Sequence, residues 1–340
     1  MNHTEKLTPK QQYLQYLLPK LNDEQIDKMV AAIKAKQKKQ EGQTTHVEEN
    51  PYAEIMNMIG CNEAKEKLNE MISDFRMNRL AAECGRKHER AYFHASFHGN
   101  PGTNKTSTGR LFAKVLAQEG IIKKAQCVEL TRSDIVGQYV GSTAVKVQEI
   151  FRKYADCLIL IDEAYSLCDG NPNSNNNYGE EAINELIVCL ENHPETVVIF
   201  AGYPDKMDEF LGKNPGLRSR VPYRVNFADY TAEELMAISK AIARDRGFCI
   251  ADSALDKLFS IFNAARQAKD FSNGRFVRNT IEAAVRRKGI LLGIMEKQDL
   301  TDYMDRTKYS VEDLFSLDED CFEVLQAPVQ EHSHRIGFCG

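Results

Sequence analysis

The chain has 340 residues, 42% hydrophobic and 27% charged, with a formal net charge of −5. That length suits two packed units and an appendage, and the composition excludes a disordered chain. No run of about eighteen apolar residues occurs, which excludes a membrane-spanning helix, and a pI near 6.0 argues against a chain built to coat nucleic acid.

The opening MNHTEKLTPKQQYLQ lacks the apolar stretch of a secretory signal. Nine cysteines are scattered without a CxxC pair, and Cys157 and Cys189 fall inside apolar runs, as reduced thiols do. The expectation is a cytoplasmic protein. Residues 8–40 read as helical: Thr8-Pro9 suits a helix start, Asn22 and Gln25 could form a capping box, and Ile26, Met29, Val30 and Ile33 recur on one face. A polar tether, KAKQKKQEGQTTHVEEN, follows. This region is either a solvated helix with a linker or a small module whose apolar stripe meets a partner.

From Pro51 the texture changes. A helix is predicted over 63–83, then an apolar, β-prone segment FHASFHG (93–99), a Gly/Pro/Asn/Thr loop, and a helix from about Ser107 to Glu119. His94 and His98 alternate along that strand and read as residues of its faces. CLILIDEA (157–164) and TVVIFAGYP (196–204) are unbroken apolar runs, as expected for strands buried on both faces of a parallel sheet. Between them NPNSNNNYG (171–179) reads as a loop. After Phe227 helical periodicity takes over, and the remainder reads as a smaller, all-helical unit. Arg286-Arg287-Lys288 complements a helix C-terminus, and the spacing of His332, His334 and Cys339 makes a poor metal site.

Two segments carry chemistry. Gly99-Asn100-Pro101-Gly102-Thr103-Asn104-Lys105-Thr106, followed by Ser107, lies between a predicted strand and a predicted helix, the context that gives a phosphate-binding loop its meaning. Such a loop turns backbone N–H groups and a helix N-terminus towards phosphate oxygens. Lys105 would reach the β- and γ-phosphates, and the Thr106 hydroxyl would ligate Mg²⁺. Asn104 stands where the pattern GxxxxGK[ST] has its second glycine. Asparagine tolerates left-handed backbone angles better than most residues, but it brings a side chain to where phosphate approaches. The second segment ends the strand LILI with Asp162 and Glu163. Asp162 would hold the metal and Glu163 would polarise the attacking water.

With MIGCNEAKEKLNEM (58–71), GQYVGST (137–143), LILIDEAYSL (158–167), FAGYPDKMDEFL (200–211), NPGLRSRV (214–221), NGRFVRN (273–279) and the ending RIGFCG, the chain resembles the AAA+ ATPases. More narrowly, it is similar to the group containing red-type rubisco activase and stage V sporulation protein K. The resemblance implies a P-loop NTPase α/β domain of three layers over 51–227, a helical lid over 228–325, an N-terminal helical segment with a polar linker over 1–50, and a tail over 326–340. It implies ATP and Mg²⁺ as ligands, with Ile59 and Gly60 at the adenine. Arg220 would reach a neighbouring subunit's γ-phosphate, with Arg218 as second candidate, and Arg275 and Arg278 would report nucleotide state to the lid. Gly202 occupies the first sensor position, followed by Tyr203. Tyr139-Val140-Gly141 would form a pore loop gripping an extended peptide, the aromatic by stacking and the glycine by letting the loop move.

The function so implied is ATP-driven remodelling of a protein partner by a homo-oligomeric ring, expected to be a hexamer. Two other readings stay open. One is a nucleotide-gated scaffold with slow or no hydrolysis, motivated by Asn104. The other is a DNA-directed loader, which the acidic pI and the YVG loop disfavour.

Overall fold

The computed structural model describes residues 50–86, 92–137, 139, 141–168, 178–268, 271–291 and 314–322. The expected N-terminal helix, the tether up to residue 49, Val140, nearly all of the Asn-rich loop, and the tail with His332, His334 and Cys339 lie outside the described residues.

Helices α1 (Pro51–Asn57) and α2 (Asn62–Glu83) lead into β1 (Ala95–Gly99) and α3 (Lys105–Glu119). Then follow β2 (Cys127–Leu130), α4 (Arg132–Ile135), α5 (Ser142–Lys153), β3 (Leu158–Ile161), a 3₁₀ turn (Ala164–Cys168), α6 (Tyr178–Asn192) and β4 (Val197–Gly202). Helices α7 (Pro204–Lys213) and α8 (Pro215–Arg220) precede β5 (Tyr223–Phe227). The five strands form one parallel sheet in the order β2-β3-β4-β1-β5. Strands β2 and β5 escape the sequence reading because Glu129 and Arg224 interrupt their apolar residues; at the sheet's edges one side of each strand meets water.

The pleat explains the unbroken runs. Leu158 and Leu160 join Phe97, Ile199 and Val225 in a core covered by Ile55, Leu68, Met71, Phe112 and Leu116 of α1 to α3. Ile159 and Ile161 turn to the other side and join Val198 and Phe200 beneath Val147, Phe151, Ile183, Leu186 and Phe210. Each such side chain stabilises the fold by roughly 1.5–3 kcal/mol relative to exposure, so both layers of helices are held firmly against the sheet.

Residues after β5 build a third core. Helix α9 (Ala232–Asp245) opens on a capping box in which the Glu234 N–H donates to Thr231 Oγ1 at 3.2 Å and the Thr231 N–H to Glu234 Oε2 at 2.8 Å. Leu235 packs with Leu258 and Phe262 of α10 (Asp252–Ala265), Val277 and Ile281 of α11 (Asn273–Leu291), and Leu317. This unit is not purely helical: β6 (Cys249–Ile250) and β7 (Ser316–Leu317) pair in parallel, too briefly for alternation to show in sequence. Every cysteine among the described residues is a free thiol.

His98 lies fully buried at the end of β1, with Nε2 sharing a 2.9 Å hydrogen bond with Ser96 Oγ. Burial first, and then the Arg224 charge, push its pKa from 6.5 down to about 4, against the pull of Asp208. Between those values the unfolded chain takes up a proton that the folded one refuses. Stability from this residue is therefore complete above about pH 6.5 and is lost as the pH falls towards 4. Urea unfolding across that range should show this loss in the parent protein, and His98→Gln should flatten it. Parallel pH profiles for the two proteins would refute the assignment.

Candidate functional site

Because all five strands are parallel, the loop after Gly99 and the acids after Ile161 leave the sheet at the same edge. There a cleft of about 530 Å³ opens between the sheet and α9 and α11. Its polar side is lined by Gly99, Pro101, Gly102, Asn104, Lys105, Thr106, Ser107, Asp162, Glu163, Arg275 and Arg278. Met58, Ile59, Tyr230, Ile238, Ala241 and Ile242 line the apolar side. Gly202, Tyr203 and Gly274 complete the wall.

The loop is shaped by close approach. A Cβ on Gly99 would come within 2.7 Å of the Phe227 carbonyl oxygen. One on Gly102, at φ +73°, would run into the Ser272 carbonyl. Thr103 is buried and its hydroxyl donates to the Asn100 carbonyl at 2.7 Å. Asn104 takes the left-handed angles φ 76°, ψ 14°, as a residue in the glycine position must, and its side chain is exposed and does not cap the helix. Helix α3 then starts at Lys105, two residues earlier than predicted, so the first turn includes both Lys105 and Thr106.

Lys105 Nζ donates to the carbonyls of Gly99 at 2.6 Å and Asn100 at 2.9 Å. Burial lowers its pKa, opposed by the negative charges of Asp162 and Asp229. Asp162 Oδ1 accepts from the Glu163 N–H at 3.0 Å, and Glu163 itself is left-handed at φ 48°, which turns its carboxylate into solvent at the cleft. Arg275 and Arg278 are exposed on α11, and their guanidinium groups make no hydrogen bond or ion pair among the described residues. A hydroxyl and a carboxylate suit Mg²⁺, and a lysine with two free guanidinium groups suits a polyphosphate. The donor set fits a nucleotide carrying its metal.

Some expected residues stand elsewhere. Gly60, Asn100 and Thr103 do not line the cleft: a Cβ on Gly60 would touch Glu234 and Tyr230, and Asn100 and Thr103 brace the loop from behind. Arg218 and Arg220 lie on α8, outside the cleft lining. Arg220, the first candidate by the family resemblance, donates to the Gly216 carbonyl at 3.0 Å and pairs with Glu191. Arg218 is exposed, and its guanidinium forms no hydrogen bond or ion pair among the described residues. Tyr139 is 75% exposed; its N–H donates to Ser142 Oγ at 3.2 Å, and that hydroxyl donates to the Tyr139 carbonyl at 2.6 Å. Gly141 beside it is left-handed at φ 78°. Sequence reasoning missed Ile238, Ala241 and Ile242, whose helical spacing signals only an apolar face. Among the described residues no group of His, Cys, Asp and Glu is placed to hold a metal by itself, and no helix is long and apolar enough to cross a membrane.

The model of the ATPase family associated with various cellular activities (AAA) matches residues 95–227, and that of the AAA lid domain matches 231–327. The chain is 36% identical to the protein CfxQ homolog of Cyanidium caldarium over 76% of its own length and 89% of the relative's. It is also 36% identical to stage V sporulation protein K of Bacillus subtilis, over 74% of this chain and 78% of that one. The chloroplastic ribulose bisphosphate carboxylase/oxygenase activase of Cyanidioschyzon merolae is again 36% identical, over 76% and 87%.

Asn104 is where the loop departs from the glycine pattern. A left-handed non-glycine residue costs on the order of 1 kcal/mol, less for asparagine, and glycine adds a similar entropy cost through the unfolded chain. Asn104→Gly should therefore leave the melting temperature nearly unchanged while it clears the cleft wall and raises ATP turnover several-fold. Unchanged turnover at equal stability would mean that asparagine is tolerated at this position of the cleft wall.

Proposed function

The chain belongs to the AAA family of ATPases, and from that premise we propose that it binds and hydrolyses Mg-ATP at the interfaces of a ring to remodel a protein partner. The single observation that carries this reading is the cleft, in which Lys105, Thr106, Asp162, Glu163 and Arg275 converge from the sheet edge and the lid. Residues 51–227 would serve as the nucleotide domain and 228–325 as its lid.

Each group has a physical task. Backbone N–H groups at the start of α3 and the Lys105 ammonium would meet the phosphates, exchanging the carbonyls of Gly99 and Asn100 for charged acceptors. Thr106 and Asp162 would hold Mg²⁺, whose charge offsets that on the phosphate oxygens. Glu163, exposed at the cleft, would orient and polarise the attacking water. Arg275, with Arg278 behind it, would bring lid charge to the phosphates. Ile59, Tyr230 and Ile242 offer the adenine an apolar slot.

Two features support work on a partner. Tyr139 stands exposed on a short loop whose base is tied by Ser142, the disposition of a side chain that grips by apolar contact. A relative is named as an activase of ribulose bisphosphate carboxylase/oxygenase, itself a protein. A ring needs an arginine that crosses between subunits. The freedom of Arg218 supports giving it that reach, with Arg220 bracing α8 through Glu191.

Glu163→Gln keeps the shape of the side chain and removes its basicity, so ATP should still bind while turnover disappears. Equilibrium titration with steady-state assays decides this; turnover at the parent rate would take Glu163 out of the role.

Subunit mixing tests the ring. Arg218→Ala and Glu163→Gln proteins, each inactive alone, should regain activity when mixed, because some interfaces then receive an intact arginine and an intact glutamate. Recovery with Arg220→Ala but not Arg218→Ala would return the role to Arg220. No recovery with either, despite verified exchange of subunits, would refute an arginine acting across the interface.

A further inference from the structure

Arg275 can serve the phosphates only if the lid is held at a set distance from the loop, and the structure contains a clasp that does so. Asn273, first residue of α11 and two positions before Arg275, is fully buried and left-handed at φ 47°. Its amide is used on both sides. Oδ1 accepts from the Tyr230 N–H at 3.0 Å, and Nδ2 donates to Asp229 Oδ1 at 2.7 Å, with the Pro101 carbonyl at 3.4 Å. The Asp229 carboxylate also accepts from Asn100 Nδ2, at 3.1 and 2.9 Å. Asn100 belongs to the phosphate-binding loop, Asp229 and Tyr230 to the connection after β5, and Asn273 to the lid. One residue on, the Gly274 N–H donates to the Gly102 carbonyl at 3.1 Å, a contact that the missing Cβ of Gly102 makes possible.

We propose that Asn273, clasped through Asp229 to Asn100, is a positioning residue that sets Arg275 beside the phosphate-binding loop and so controls the rate of hydrolysis. Three considerations carry this. A buried amide left without partners is costly, so Asn273 holds its geometry strongly. Its left-handed backbone aims the first turn of α11, and strain of that kind persists only where the surroundings impose it. The acceptor Asp229 is charged, which strengthens both donors' bonds to it. The clasp's side chains are not among the proposed metal ligands. Asp229 also supports the Lys105 charge, so a loss that acts through Arg275 is told from one that acts through Lys105 by whether it depends on Arg275.

The inference rests on the proposed role of Arg275, and a double-mutant cycle separates the two. Asn273→Gly permits the left-handed backbone and removes the amide; Asp229→Ala breaks the same clasp from an exposed side chain. Each variant is assembled at full length with and without Arg275→Ala. ATP hydrolysis is followed under single-turnover conditions, which keep slow variants measurable, and thermal unfolding is recorded alongside. In the parent background each clasp variant should lower the rate by about tenfold or more, since small misplacements of a charged group are costly to rate. With Arg275 already alanine, the same substitutions should change the rate by less than about twofold, because residues acting through one group are not additive. Losses of equal size in both backgrounds, or no loss in the parent, would overturn the clasp while leaving Arg275 its role. A parent rate in Arg275→Ala alone would overturn both. If Asn273→Gly proves unstable at the assay temperature, Asp229→Ala decides the matter by the same criteria.

Discussion

The parallel pairing of β1 between β4 and β5 is the constraint on which the rest depends. It places the Gly99 loop and, one strand beyond β4, Asp162 and Glu163 at the same sheet edge, although they are far apart in sequence. Register is tightly enforced. Shifting β1 by one residue would turn Phe97 out of its core and exchange every neighbouring side chain between the two faces. It would also move Gly99 away from the Phe227 carbonyl, where no other residue fits. Buried strands and helices thus supply the rigidity that the loop lacks by itself.

The cleft is built at a local cost. Asn104, Glu163 and Asn273 are among the non-glycine residues with positive φ, and all three lie at or beside the cleft wall. Strain of this kind gathers where side chains must point in particular directions. At Glu163 the turn presents a carboxylate to solvent; at Asn273 it starts the helix that carries Arg275 and Arg278. Electrostatic balance matters as much. Lys105 is buried enough for its charge to be disfavoured, and Asp162 and Asp229 keep that cost in check. A polyphosphate with its metal would add to this balance rather than disturb it.

The lid and sheet meet through polar contacts of the loop and a small shared apolar seam. Cys61 packs against both the α3-side core and the lid core, and its Sγ shares a 3.5 Å hydrogen bond with the Tyr230 hydroxyl. Burial pushes the Tyr230 phenol pKa upwards, so it stays neutral and available for that bond. Such hydrogen bonds fix the direction in which the lid leaves the sheet.

Much of this was legible in the sequence. The runs around Leu158–Ile161 and Val197–Gly202 declare strands buried on both faces, because only such strands are apolar at every position. The glycines, Lys105 and Thr106 between a strand and a helix point to a candidate phosphate site, since backbone approach and cation placement are local properties of the chain. Asn104 was readable as a left-handed residue for the same reason. Edge strands β2 and β5 were not, as half of each faces water. Nor, apart from Ile59, was the apolar side of the cleft, because Ile238 and Ile242 look like core residues until the lid stands against the sheet. The restraint of Arg220 likewise depends on Glu191, which α6 brings to α8. Local pattern determines what each segment is and what chemistry it carries. Only long-range packing decides which segments face one another, because that choice is made by surfaces that no single stretch of sequence contains.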